Sequence, residues 1–161
     1  MVITDYLNDS DDRILIDNLS YEYVELFRDS GTNFRYGYCL IGWVVFDDEN
    51  NHALIKWNGL NFLGFLRILE LNSIEVFTSI SDRVKQLANE KMEFLDFFPI
   101  VGIVKTCFSM QSNYWSELCL NFLLKNKLYQ KQLTFLREYK NCSWCNQKVN
   151  HMIWTYLSRM N

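Results

Sequence analysis

The segment FRYGYCLIGWVVF at Phe34–Phe46 decides the fold class of this chain. From Tyr38 onward, apolar side chains occupy odd and even positions alike, so the strict alternation of a half-buried strand is absent. A helical stripe fits the same segment, and it comprises Phe34, Tyr38, Ile41 and Val45. The turn-forming sequence DDENN and the apolar segment HALIKW follow directly, and they indicate a hairpin instead.

The sequence on either side of this segment has the spacing of amphipathic helices. The clearest stripe begins after Asn72, which can cap a helix together with Glu75. An earlier stripe ends at Gly31 and comprises Ile16, Leu19, Tyr23, Leu26 and Phe27. Further helices are predicted after Pro99, from Ser112 or Asn113, at residues 129–136 and at residues 149–160.

These patterns predict a mostly α fold in which residues 1–161 form one compact multi-helix domain. The surroundings of the ambiguous segment are helical, and this favours a helix there as well. The alternative is an α+β fold with a hairpin in residues 34–57 and a helical C-terminal half.

The composition is that of a single globular domain. The chain has 161 residues, of which 49% are hydrophobic, 22% are charged and 16% are aromatic. The N-terminus lacks the basic start and apolar run of a signal peptide, and the longest apolar stretch, Phe94–Met110, is interrupted by Asp96, Pro99 and Lys105. We therefore expect no membrane interaction, a cytoplasmic location and five reduced cysteines.

Charge is distributed unevenly along the chain. Residues 1–49 hold 11 acidic and 3 basic side chains, whereas residues 97–161 hold 2 acidic and 8 basic ones. The net charge of −3 is not that of a nucleic-acid-binding domain, which normally has a clear basic excess. We interpret the acidic end as a surface for a basic protein partner, because complementary charge speeds association and selects partners.

Two kinds of residue are candidates for partner binding. The carboxylates of the acidic end come first, and they are Asp9, Asp11, Asp12, Asp47, Asp48 and Glu49. Trp144 and Trp154 lie off the clean apolar stripes, and tryptophan is enriched where binding energy concentrates. A solvated turn is the alternative for the acidic loop, and the core is the alternative for the tryptophans.

The sequence contains no catalytic motif, so we predict a protein that is not an enzyme and has no cofactor. One chemical alternative remains at Cys142 and Cys145, whose spacing allows both thiolates to bind one zinc ion, with His151 as a third ligand. Incidental cysteines beside a helix start are the simpler interpretation, because a zinc site normally needs a second close pair.

The stretch YWSELCLNFL at Tyr114–Leu123, followed by the Gln130–Leu136 helix, resembles the paired C-terminal helices of some immunity proteins from bacterial contact-dependent growth-inhibition systems. The resemblance covers the last third of the chain. It implies an inhibitor that binds a cognate toxin domain, often a nuclease, and blocks its active site or substrate surface. Two other functions stay open, a helical adaptor or structural interaction domain and a small zinc-binding protein.

Overall fold

The computed structural model describes residues 12–16, 18–40, 42–49, 52–53, 62–88 and 98–160. Within these residues an antiparallel sheet is followed along the chain by helices. The five strands pair in chain order and are β1 (Arg13–Ile16), β2 (Leu19–Asp29), β3 (Phe34–Cys39), β4 (Gly42–Asp47) and β5 (His52–Ala53). The α-helices are α1 (Leu63–Leu66), α2 (Ser73–Ala88), α3 (Ile100–Ser109), α4 (Asn113–Lys125) and α5 (Gln147–Ser158), and the 3₁₀ helices are η1 (Arg67–Glu70) and η2 (Lys131–Tyr139).

The predicted mostly α fold is wrong, and the α+β alternative with a hairpin in residues 34–57 fits the structure. β3 and β4 pair antiparallel from Phe34 with Asp47 to Cys39 with Gly42, so the hairpin connection between Cys39 and Gly42 lies inside the apolar run. β4 and β5 then pair across the DDENN turn. The stripe that predicted a helix before Gly31 lies in β1 and β2.

Burial of both faces of the β3–β4 hairpin explains why its sequence does not alternate. One face packs against the helices in the main core, to which Tyr36 and Val45 belong. The other face lines a smaller cluster, here called the inner core, formed by Ile14, Ile16, Tyr23, Cys39, Val44 and Phe46. The sheet curls around the inner core, since β1 also contacts β5. A strand buried on both faces is apolar at both parities, so its period does not distinguish it from a buried helix.

Gly37 permits the close packing of the inner core. A Cβ atom at this position would lie 2.2 Å from the Val24 carbonyl oxygen and 2.6 Å from Cζ of Tyr23. Tyr23 and Gly37 lie on neighbouring strands, and the fully buried Tyr23 ring covers the glycine. Any larger residue at position 37 therefore forces the strand or the ring to move.

Gly37→Ala should lower the free energy of unfolding by about 2–3 kcal/mol, because the added methyl group meets a strand backbone as well as a ring. Urea denaturation measures the change. Gly31→Ala is the matched control, since its nearest neighbour would be Asp29 Oδ1 at 3.3 Å, and we expect a change below about 0.5 kcal/mol. Equal stability of both variants with the wild type would contradict the close packing of Tyr23 on Gly37.

The predicted helical C-terminal half is confirmed, and local capping explains its success. Ser112 Oγ accepts a hydrogen bond from the Trp115 amide at 3.5 Å at the start of α4. Asn146 Oδ1 accepts one from the Val149 amide at 2.8 Å at the start of α5. At the start of α2, Asn72 Oδ1 accepts a hydrogen bond from the Ile74 amide. Such caps are readable in a sequence because donor and acceptor lie within three residues.

The C-terminus of α4 has a Schellman motif that is built without glycine. The Leu128 amide donates to the Leu123 carbonyl at 2.9 Å, and the Lys127 amide donates to the Leu124 carbonyl at 3.4 Å. Lys127 has a φ of 54°, the left-handed conformation in which side chains other than glycine are disfavoured. The chain can therefore reverse after α4 and begin η2 at the cost of local strain.

Lys127→Gly should raise the free energy of unfolding by about 0.5–1 kcal/mol, because glycine adopts a positive φ without strain. Lys125→Gly, two residues earlier and inside α4, should lower it by about 1 kcal/mol. Thermal unfolding of both variants distinguishes the two positions. Destabilisation by the Lys127 substitution would show that the lysine side chain outweighs the backbone strain.

Candidate functional site

The three residues of the acidic loop have different environments. Asp47 is only 5% exposed, and its Oδ1 accepts a hydrogen bond from the Glu49 amide at 3.0 Å. Glu49 is exposed, and its Oε1 accepts a hydrogen bond from Nδ2 of Asn33 at 3.2 Å. Asp48 is partly buried and lies between two arginines. The loop is therefore tied to the neighbouring turn, and its carboxylates are not equivalent.

Asp48 belongs to an ion-pair cluster on the sheet that consists of Glu25, Arg28, Arg35 and Asp48. Arg28 contacts Asp48 Oδ2 at 3.1 Å and Glu25 Oε2 at 2.9 Å. Arg35 contacts Glu25 Oε2 at 3.8 Å, and its Nε lies 2.7 Å from Asp48 Oδ1 in an approach too bent for a regular hydrogen bond. The cluster holds two positive and two negative charges, so it adds no net negative charge for a partner.

Arg35 joins this cluster to the inner core. Its guanidinium lies 4.8 Å from the centre of the Phe46 ring and 5.5 Å from that of the Tyr23 ring, in cation–π contact with both. Burial of the Tyr23 side chain raises its pKa well above the usual value, and the nearby Glu25 charge adds to this effect. Arg35 is therefore held in place by packing, and Asp48 is its counter-charge.

Asp12 and Glu75, two of the exposed acidic side chains, line a cleft between β2 and α2. This β2–α2 cleft has a volume of about 500 Å³ and is lined by Asp12, Glu25, Leu26, Phe27, Arg28, Glu75, Ser79 and Arg83. Arg83 is anchored there, because its Nε donates to the Glu25 carbonyl oxygen at 3.1 Å, where a register shift interrupts the pairing of β2 with β3. The lining holds three carboxylates and two guanidinium groups, so the cleft has one negative charge in excess.

The predicted acidic residues thus divide into three groups. Asp12 lines the β2–α2 cleft, whereas Asp47, Asp48 and Glu49 are engaged in the loop and the ion-pair cluster. Asp9 and Asp11 lie outside the residues that the structure describes. Glu75 was not among the predicted site residues, because its position three residues after Asn72 indicates only a helix cap.

The two predicted tryptophans differ in exposure. Trp144 packs against the main core, with its ring centre 6.0 Å from that of Phe108 and 6.1 Å from that of Tyr139. Its carbonyl oxygen also accepts a hydrogen bond from Nδ2 of Asn113 at 2.8 Å. Trp154 on α5 is 51% exposed. Trp144 therefore supports the fold, and Trp154 is the tryptophan that a partner can reach.

Trp154 lines a second cleft, here called the Trp154 cleft, with a volume of about 420 Å³. Lys140, at the end of η2, places Nζ 2.9 Å from the centre of the Trp154 ring. The lining residues are Arg137, Lys140, Trp154, Leu157 and Ser158. None of them is acidic, and none lines the β2–α2 cleft, so the two clefts are separate surfaces of opposite charge.

The proposed zinc ligands do not form a cluster. In the part of the chain that the structure describes, no group of three His, Cys, Asp or Glu side chains could hold a metal ion. Cys142 Sγ donates to the Glu138 carbonyl at 3.4 Å, and Cys145 Sγ donates to the Tyr139 carbonyl at 3.5 Å. Burial, and then the neighbouring Cys142, raise the pKa of Cys145, which favours its protonated form. Both thiols therefore satisfy carbonyl groups at the end of η2.

Comparison with protein-family models, curated proteins and solved structures found no match to this chain. Among the helices in the described ranges, none is long and apolar enough to cross a membrane.

Asp48→Asn should lower the free energy of unfolding by about 2 kcal/mol, because it removes the counter-charge of Arg35, whose side chain is only 12% exposed. Glu49→Gln, the neighbouring substitution, should change it by less than about 0.5 kcal/mol, since Glu49 is exposed. Urea denaturation at neutral pH measures both. Equal effects would mean that the ion-pair cluster does not hold the loop.

Proposed function

We propose that this chain is a cytoplasmic protein-binding inhibitor that neutralises a basic partner, in the way that an immunity protein neutralises a toxin domain. The β2–α2 cleft is the observation that carries the proposal. Its lining includes the carboxylates of Asp12, Glu25 and Glu75, of which Glu25 is paired with Arg28, and its two arginines are engaged with groups of the protein itself. Glu75 makes no ion pair with any residue in the described ranges, so it can receive a cationic side chain from a partner.

The geometry is suited to binding a folded, basic surface. Glu75 lies in the first turn of α2, and Glu25 and Arg28 are fixed on β2 by their mutual contact at 2.9 Å. Carboxylates that are held on rigid elements lose little conformational entropy when a partner binds. A nuclease needs a basic face for its substrate, so a partner of that kind would be inhibited by occupation of that face.

Partner capture tests the proposal. The purified wild-type chain, used as bait in an extract of its source cells at low and moderate salt, should retain one basic protein in stoichiometric amount. The activity of that protein should disappear in the complex. Capture without loss of activity would indicate an adaptor instead of an inhibitor, and capture of no basic protein would refute the proposal.

The double substitution Asp12→Asn and Glu75→Gln should slow association with the captured partner by roughly threefold to tenfold and weaken its salt dependence, because long-range attraction scales with the charge at the site. Stopped-flow mixing at several salt concentrations measures both quantities. The control is the charge-matched pair Asp82→Asn and Glu138→Gln, which lies outside the cleft. Equal association rates for the two double variants would place the partner elsewhere.

A further inference from the structure

The Trp154 cleft has features of a binding site that the acidic β2–α2 cleft does not explain. Half of the Trp154 surface is in contact with solvent, although tryptophan is among the side chains with most to gain from burial. The rim of the cleft carries the cationic groups of Arg137 and Lys140, and Leu157 contributes apolar surface. A tryptophan between cations and apolar surface is typical of the centre of a protein interface.

In the part of the chain that the structure describes, the cations of this cleft have no counter-charge. Neither Arg137 nor Lys140 makes an ion pair with a residue that the structure describes. Residues 98–160 contain eight basic and two acidic side chains, and one of those two, Glu117, is already paired with Lys148. The positive charge at the cleft is therefore available to an external anionic group.

Lys140 distinguishes between two kinds of anionic partner. Its ammonium group covers a face of the Trp154 ring, which is the surface that a nucleobase would need for stacking. The contact leaves other N–H groups of the ammonium for a carboxylate, so the tryptophan, the lysine and the carboxylate can bind as one stack. The arrangement favours a carboxylate over a stacked base.

We propose that the Trp154 cleft binds an acidic segment of a partner protein, with its carboxylates on Arg137 and Lys140 and an apolar side chain against Trp154 and Leu157. This surface is separate from the β2–α2 cleft and opposite in charge, so the proposal is independent of the inhibitor function. The chain would then hold two oppositely charged segments, either of one partner or of two.

Selection from a random dodecapeptide phage library tests this specificity directly. The full chain should enrich peptides that combine two or more Asp or Glu residues with a large apolar residue. The enriched peptide, made synthetically, should bind with an affinity that falls as salt rises. Enrichment of basic peptides, or of none, would overturn the proposal. A single-stranded DNA 15-mer is titrated in parallel, and tighter binding of the DNA than of the peptide would also overturn it.

Substitutions then locate the peptide. Trp154→Ala should weaken binding of the enriched peptide about 30-fold, the loss expected at an interface hot spot. Arg137→Gln with Lys140→Gln should weaken it about tenfold and reduce its salt dependence. The charge-matched control is Lys125→Gln with Lys131→Gln, which removes two exposed lysines outside the cleft. Circular dichroism confirms that each variant is folded, and equal affinity of the two double variants would refute the assignment of the cleft.

Discussion

The packing of the Tyr23 ring over Gly37 is the contact on which the sheet depends. It allows β2 and β3 to bury the face that points away from the helices, and the inner core then closes because β1 reaches β5. Burial on both faces removes the solvent-facing side that an antiparallel sheet usually has. The N-terminal half of the chain therefore uses its aromatic residues in two cores, and it is stabilised without a disulfide, since all five cysteines are free thiols.

This double burial also determines which acidic residues face solvent. The Arg35 guanidinium lies against two aromatic rings of the inner core. This charge needs a counter-charge, which Asp48 supplies together with Glu25. The acidic loop is consequently part of the fold, although a sequence shows it as a run of surface carboxylates. The β2–α2 cleft holds one negative charge in excess, and its Glu75 comes from a different element, α2. The basic Trp154 cleft is built entirely from η2 and α5 and their adjoining residues, so it forms an independent surface.

Local signals in the sequence were sufficient for the helices and insufficient for the sheet. The caps at Ser112 and Asn72 and the DDENN turn each involve neighbours in sequence, and each marks a real boundary. The hairpin connection between Cys39 and Gly42 was missed because it lies within an uninterrupted apolar run. Of the predicted site residues, Asp12 and Trp154 line clefts. The contacts of Asp48 with Arg28 and of Trp154 with Lys140 join residues of separate elements, so no local pattern in the sequence indicates them. Composition shows that charges exist, but only the fold shows which of them are already paired.

Nuclear Overhauser spectroscopy of the isotope-labelled chain tests the two-sided sheet most directly. The ring protons of Tyr23 should show strong contacts to the Hα protons of Gly37, because the ring carbon lies 2.6 Å from the position of an added Cβ atom. Amide and Hα protons should also show the cross-strand pattern that pairs Tyr36 with Val45. The contradictory result would be a continuous series of Hα to amide contacts three residues apart through Phe34–Phe46, with no contact between Tyr23 and Gly37, because that pattern belongs to a helix.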